Sequence, residues 1–266
     1  MKHSLYYYAR IYVLMLVQDF KSKMAYRADF FISTAGMLAT NFMGLISFWL
    51  IFRNIPSIEG FRYEELLFMY AYALLAASPM QLLFDNLWQL WICCENGDFI
   101  KYCFKPLNLY FYYVAEILDV KGFGQLIFAI IMMVYSWIKL AIPFTFVNVL
   151  MLIVSLFGAS LVLIGIMTIA SASAFVTIHG ATIMQFMSRF REYARYPVTI
   201  FDGIFKFIFS YIIPIAFMAY YPAMFFLRPT DHPYMALLSP IVGVIMFILG
   251  YNVWMKGALH YAGTGS

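Results

Sequence analysis

Cys94-Glu-Asn-Gly-Asp-Phe-Ile-Lys-Tyr-Cys-Phe-Lys-Pro-Leu107 is the one emphatic polar interruption in a chain otherwise made of long apolar runs. Asn96-Gly97 breaks the preceding helix, Asp98 is a good N-cap and Pro106 is a helix stop, so the spacing predicts a helix of roughly two turns over Asp98 to Lys105. On it Phe99 pairs with Cys103 and Ile100 with Phe104 at i,i+4, while Lys101 and Lys105 share the opposite face. The product is a small amphipathic peg between two apolar runs. Such a peg can rest on lipid headgroups or insert into a groove on a soluble partner.

On either side the chain is built to live in lipid. Of its 266 residues, 64% are hydrophobic and 11% charged, against about 25% charged in a soluble domain, and the mean hydropathy is +0.82. The apolar runs do not alternate and are long enough to cross a hydrocarbon core of ~30 Å as helix, which argues for an all-α integral membrane protein of one domain and against a barrel. The sequence contains no His-Glu-x-x-His, no Gly-x-Ser-x-Gly and no P-loop Gly-x-x-x-x-Gly-Lys-Ser/Thr. No catalytic site, cofactor site or metal site is therefore expected in the chain itself. Cys93, Cys94 and Cys103 form neither Cys-x-x-Cys nor a Cys/His cluster, and His3, His179, His232 and His260 are scattered polar anchors. No cleavable signal pattern opens the chain, and the net charge of +4 is topological, with no nucleic-acid partner implied.

Residues 1–29 carry apolar positions near helical spacing but end in Gln18, Asp19, Lys21 and Lys23, and are expected to lie in the interface. Spans are expected at about 30–52, 66–94, 123–140, 146–177, 204–227 and 240–261, with the peg loop at 95–107. The second half of the fourth is rich in small residues such as Gly158, Ser160 and Gly165, which let helices approach closely. All but four of the 17 Lys and Arg fall on the side of the peg and both termini; Arg53, Arg62, Lys139 and Arg228 fall on the other. By the positive-inside rule the peg and the termini are cytoplasmic. Residues 178–203, with Arg189, Arg191, Glu192 and Arg195, admit two readings. Either they lie on the surface and 204–227 crosses, or they cross as a polar, pore-facing helix and 204–227 dips in and returns as a re-entrant hairpin.

Ionisable residues inside spans are pointers to function. Asp85 lies 9 residues before Cys94, ~14 Å into the bilayer along a continuous helix. At i,i+4 spacing Gln81, Asp85 and Gln89 form a polar stripe, which either glues helices together or lines a substrate path. Glu116 and Asp119 sit near the membrane entry, within reach of Lys121 or the 189–195 arginines. Pro214 and Pro222 interrupt the fifth run and either kink a path or serve packing. The aromatic content, 20% of residues, suits a route for bulky apolar or cationic molecules and ordinary interfacial anchoring equally.

The interfacial N-terminal segment, two spans, the Glu95-Asn-Gly-Asp-Phe-Ile-Lys-Tyr-Cys-Phe-Lys-Pro-Leu107 loop and the four later runs resemble the permease subunit of a type-2 ATP-binding-cassette (ABC-2) exporter, a type V ABC transporter fold. Tyr196-Pro197-Val198-Thr199-Ile200-Phe201, Ile213-Pro214-Ile215-Ala216-Phe217, Tyr221-Pro222-Ala223 and the ending His260-Tyr261 through Gly263-Thr264-Gly265-Ser266 are similar to the branch serving drug or viologen-type efflux. The resemblance implies that Asp98, Phe99, Ile100, Lys101, Cys103, Phe104 and Lys105 form a coupling helix. That helix would dock on a separate ATPase present in two copies, which alone binds ATP and Mg. It also implies a permease dimer, with itself or a sister subunit, in the bacterial inner membrane, exporting a hydrophobic, amphipathic or cationic compound. Gln81, Asp85, Gln89, Pro214 and Pro222 are the candidate path residues. Two other classes remain open on the residues alone: an ion-coupled secondary transporter, which would want paired buried carboxylates and inverted repeats, and a non-transporting membrane assembly or immunity subunit.

Overall fold

A computed structural model describes residues 5–25, 27–229 and 233–261. The expectations placed on Lys2, His3, His232 and the Gly263 to Ser266 ending lie outside these residues. The chain runs through α1 (Leu5–Ala25), α2 (Arg27–Asn54), α3 (Tyr63–Leu83), α4 (Leu90–Glu95), α5 (Ile100–Cys103), α6 (Leu109–Ala115), α7 (Lys121–Lys139), α8 (Phe146–Ala172), α9 (Gly180–Tyr193), α10 (Gly203–Phe207), α11 (Tyr220–Leu227) and α12 (Pro233–Leu259). No strand occurs among the described residues. α2, α3, α7, α8 and α12 are long and apolar enough to cross a membrane, and the protein is an all-α membrane protein.

α3 is the centre of the bundle. Almost every side chain from Glu65 to Met80 is buried, and the polar ones find partners as a low-dielectric interior requires. Tyr70 donates to the Asn41 carbonyl at 2.9 Å, Tyr72 to Ser155 Oγ at 2.7 Å, and Gln125 reaches back to the Leu74 carbonyl at 3.2 Å. α8 and α12 run parallel and touch backbone to backbone. A Cβ on Gly158 would lie 2.5 Å from Pro240 Cα, and one on Gly250 2.7 Å from the Gly165 carbonyl. Glycines seven residues apart on each helix thus form one seam, the membrane route to close packing without a hydrophobic driving force.

The bundle has two ends. At the peg end lie α4 to α6, the start of α7 and the ends of α8 and α12. At the far end Arg228 ties the chain after α11 to the turn before α3, donating to the Gly60 carbonyl at 2.6 Å, sitting 3.8 Å from Glu65 and stacking on Phe61 at 3.9 Å.

Two of the expected runs are not continuous helices. The run 66–94 is not one helix: α3 stops at Leu83, Asp85–Gln89 forms a 3-10 turn, and α4 comes after it. The Asp119 N–H takes the Leu82 carbonyl at 3.1 Å, and Asn86 and Tyr113 exchange bonds of 2.5 and 2.7 Å, which pins the turn on α6. The run 204–227 is not one helix either. α10 continues as a π turn over Ile208–Ile212, and Pro214 (φ −72°, ψ 53°) closes an inverse γ-turn in which the Ile215 N–H meets the Ile213 carbonyl at 2.5 Å. A 3-10 turn over Ile215–Met218 then leads into α11. Pro222 falls in the first turn of α11, where its missing N–H has no intrahelical acceptor to lose. The two arms are joined by Ser210 and Tyr221 at 2.9 Å. The segment is a hairpin that leaves the bundle at the end where Arg228 sits.

Residues 178–203 climb through the bundle. Gly180 packs against Ala174 at the peg end. Arg195 lies 5.3 Å from the Tyr70 ring and Tyr196 5.3 Å from Phe48, both partners ~10 Å along their helices from the far end. The hairpin then runs back beside α9, with Phe209 against Phe190 and Tyr193. Residues 178–203 thus run along the bundle from the peg end towards the far end, and 204–227 folds back beside them as a hairpin.

Candidate functional site

The peg is built by a tight succession of turns. Gly97 takes φ +75°, a left-handed conformation that glycine enters without a Cβ clash, and the Phe99 N–H reaches back to the Cys93 carbonyl at 3.1 Å. The regular helix is therefore only α5, one turn in place of the expected two. The expected capping role of Asp98 is corrected as well: Phe99 is the cap residue, and Asp98 contributes its carbonyl to the Lys101 N–H at 3.2 Å.

This geometry divides the apolar residues of the peg. Phe99 is fully buried, whereas Ile100 and Phe104 are 54% and 80% exposed. Phe99 inserts into an aromatic box of Tyr102, Tyr113, Phe175, Trp254 and Tyr261, at centroid distances from 4.9 to 6.1 Å. Phe175 lies just past α8, Trp254 belongs to α12, and the Tyr261 hydroxyl donates to the Cys94 carbonyl at 3.0 Å. The peg is thus bolted to the same two helices that share the glycine seam. Tyr102 donates to Glu116, which also pairs with Lys101 at 3.9 Å. Lys101 and Lys105 fold over the rings of Tyr102 and Tyr112. The outward face consists of Ile100, Cys103 and Phe104, with Asp98 and the two lysines around them. Beside it, Val176 and Ile178 are 85% and 92% exposed and border a groove shared with Trp91 and Glu95. Sequence reasoning missed this pair because an apolar residue at a span end carries no sign of which way it faces.

The polar stripe is relocated. With α3 ending at Leu83, Asp85 lies at the peg end beside Asp119 and Lys121, not deep in the bundle. Gln81 Nε2 donates to both carboxylates, at 3.1 Å to Asp85 and 2.7 Å to Asp119. They line a cavity of about 370 Å³ with Lys23, Asp29 and Lys121. Asp19 accepts from the Leu118 N–H at 3.0 Å and Lys23 donates to the Leu118 carbonyl, so α1 clamps the same loop. Burial, then the charge of Asp119, push the Asp85 carboxyl up to about 6 against the pull of Lys121 and Lys23. Gln89 is exposed and outside this group. Pro214 and Pro222 are buried in the hairpin, away from it. Of the five residues expected to share a path, Gln81 and Asp85 are in contact, and Gln89, Pro214 and Pro222 lie apart from them.

Residues 36–265 match the family model described as ABC-2 family transporter protein. No curated protein and no solved structure matches the chain.

Proposed function

The chain belongs to the ABC-2 transporter family, and from that premise we propose that it is the permease subunit of an ATP-driven exporter, working beside a second copy of itself or a sister subunit. A separate ATPase, two copies per complex, binds ATP and Mg and docks on the outward face of the peg. The observation that carries this reading is the division of labour in the peg: Ile100 and Phe104 are offered to solvent while Phe99 is locked to the ends of α8 and α12. A push on the exposed face is transmitted to the two helices with the closest backbone contact in the bundle. Movement of that pair against α3 opens a path for a hydrophobic or amphipathic compound.

The same reading sets the chain in the inner membrane with the peg and both termini in the cytoplasm. α2, α3, α7, α8, α9 and α12 cross, and 203–227 enters and leaves from outside. Irregular backbone of this kind is tolerated at membrane depth where protein buries it, and Ile215 to Met224 are all buried. The test is a mild-detergent pull-down of the tagged chain with mass determination of what stays bound. A co-purifying P-loop ATPase that Phe104→Asp releases is the expected result; a chain that purifies alone while folded overturns the docking.

A further inference from the structure

α9 carries the most polar surface among the helices that run through the bundle. Its exposed residues, Thr182, Gln185, Phe186, Arg189, Glu192 and Tyr193, recur at three- and four-residue steps and so form one stripe. The opposite side, with Ile183, Met184 and Met187, packs into the core. Arg189 lies 9 residues beyond Gly180, ~14 Å along the helix, which in the proposed topology is near the middle of a ~30 Å hydrocarbon layer. Arg189 and Glu192 take part in no ion pair among the described residues. Arginine, glutamate and glutamine at that depth are not left against lipid; they face water, protein or cargo.

Resting on the permease reading above, we infer that the α9 stripe lines a water-filled path closed by the second permease and that Arg189 is its station for an anionic cargo, an amphiphile bearing a carboxylate or phosphate. The sign follows from the local charge. From Arg189 to Arg195 the chain carries three arginines and one glutamate; Arg191 lies half-buried on the side away from the stripe and Arg195 is held over Tyr70, so the net charge of the segment behind Arg189 is positive. A guanidinium offers a planar fork of donors matched to carboxylate and phosphate oxygens. Phe186 and Tyr193 on the same stripe supply apolar surface for the rest of such a molecule.

Cysteines placed one at a time at positions 182, 183, 185, 187, 189 and 192 of the full chain test this in native membranes without ATP. They are treated with a membrane-impermeant thiol reagent and read peptide by peptide by mass spectrometry, with the native cysteines left in place. Labelling at 182, 185, 189 and 192 with 183 and 187 spared is expected. Labelling of all six, or of none at 189 and 192, overturns the path. The second arm measures protection of Gln185→Cys by carboxyfluorescein, an anion, and by rhodamine 123, a cation on a related ring system. Carboxyfluorescein slows labelling several-fold and rhodamine 123 does not; Arg189→Gln abolishes the protection and Arg189→Lys keeps most of it. Equal or better protection by the cation, or protection by neither, overturns the anionic assignment. Neither arm involves the ATPase, so a failure here is separate from a failure of docking, which co-purification reads.

Discussion

Phe99 and Phe104 stand five residues apart and have opposite surroundings, one inside an aromatic box and the other in solvent. Truncating a fully buried phenylalanine leaves a cavity and costs about 3–5 kcal/mol, so Phe99→Ala is expected to lower the unfolding midpoint of the detergent-solubilised chain by many degrees. Phe104→Asp removes nothing from the interior and is expected to leave the midpoint unchanged while abolishing ATPase co-purification. Loss of both properties in both variants would merge the two roles. Asp85 offers a second test at this scale. Its carboxyl is raised to about 6, by burial first and by Asp119 second, so the folded chain holds this proton more tightly than the unfolded chain does. The contribution is stabilising in acid and is lost as pH rises from the ordinary carboxylate value through about 6. Asp85→Asn keeps an oxygen for Gln81 and carries no charge. It is expected to melt higher than the parent at pH ~8 and to lose that advantage near pH ~4; a difference constant across that range would show that the carboxylate charge is not what matters.

At the scale of elements, the α8–α12 seam is the most demanding contact, because its glycines leave no space for a side chain. Gly158→Val is expected to overpack the seam by about 1–3 kcal/mol or more. Because the same helices carry Phe175 and Trp254 around Phe99, it is also expected to weaken ATPase retention from a distance; an unaltered melting midpoint and pull-down would remove the seam from the coupling route. How far the elements were legible in the chain depended on what limits each one. α2, α7, α8 and α12 lie near the runs read at 30–52, 123–140, 146–177 and 240–261, since uninterrupted hydropathy is a local property. The end of α3 was hidden, because the donor that takes the Leu82 carbonyl comes from Asp119, 37 residues on, and no local breaker stands at Leu83. That one hidden break carried Asp85 from an expected mid-membrane position to the peg end. The burial of Phe99 was hidden for a related reason: its box is assembled from residues as distant as Trp254 and Tyr261, whereas i,i+4 spacing reports only which side chains share a face.

For the whole molecule, the route of 178–227 decides which surface belongs to which side of the membrane. The apolar composition of 204–227 resembles that of a span, and the arginines of 178–203 resemble a surface helix. Hydropathy alone therefore puts 204–227 across and 178–203 on the surface, the reverse of the arrangement proposed above. Tertiary partners support the proposed route: Arg195 rests on Tyr70, Tyr196 on Phe48, and Phe209 returns beside Phe190. A polar helix can be held in the interior when its charged stripe faces a path, and an apolar segment can be kept from crossing when Pro214 turns it and Ser210 ties its arms at Tyr221. The consequence is a difference in sidedness at Asp202, an exposed residue between α9 and α10. If 178–203 lay on the cytoplasmic surface, a cysteine at 202 would be reached only from inside. With α9 crossing, Asp202→Cys is expected to react with an impermeant thiol reagent added to intact cells, while the native Cys103 on the peg reacts only after the membrane is opened. Labelling of Cys103 and Asp202→Cys from the same side would return the hairpin to a single crossing and would place the α9 stripe outside any path.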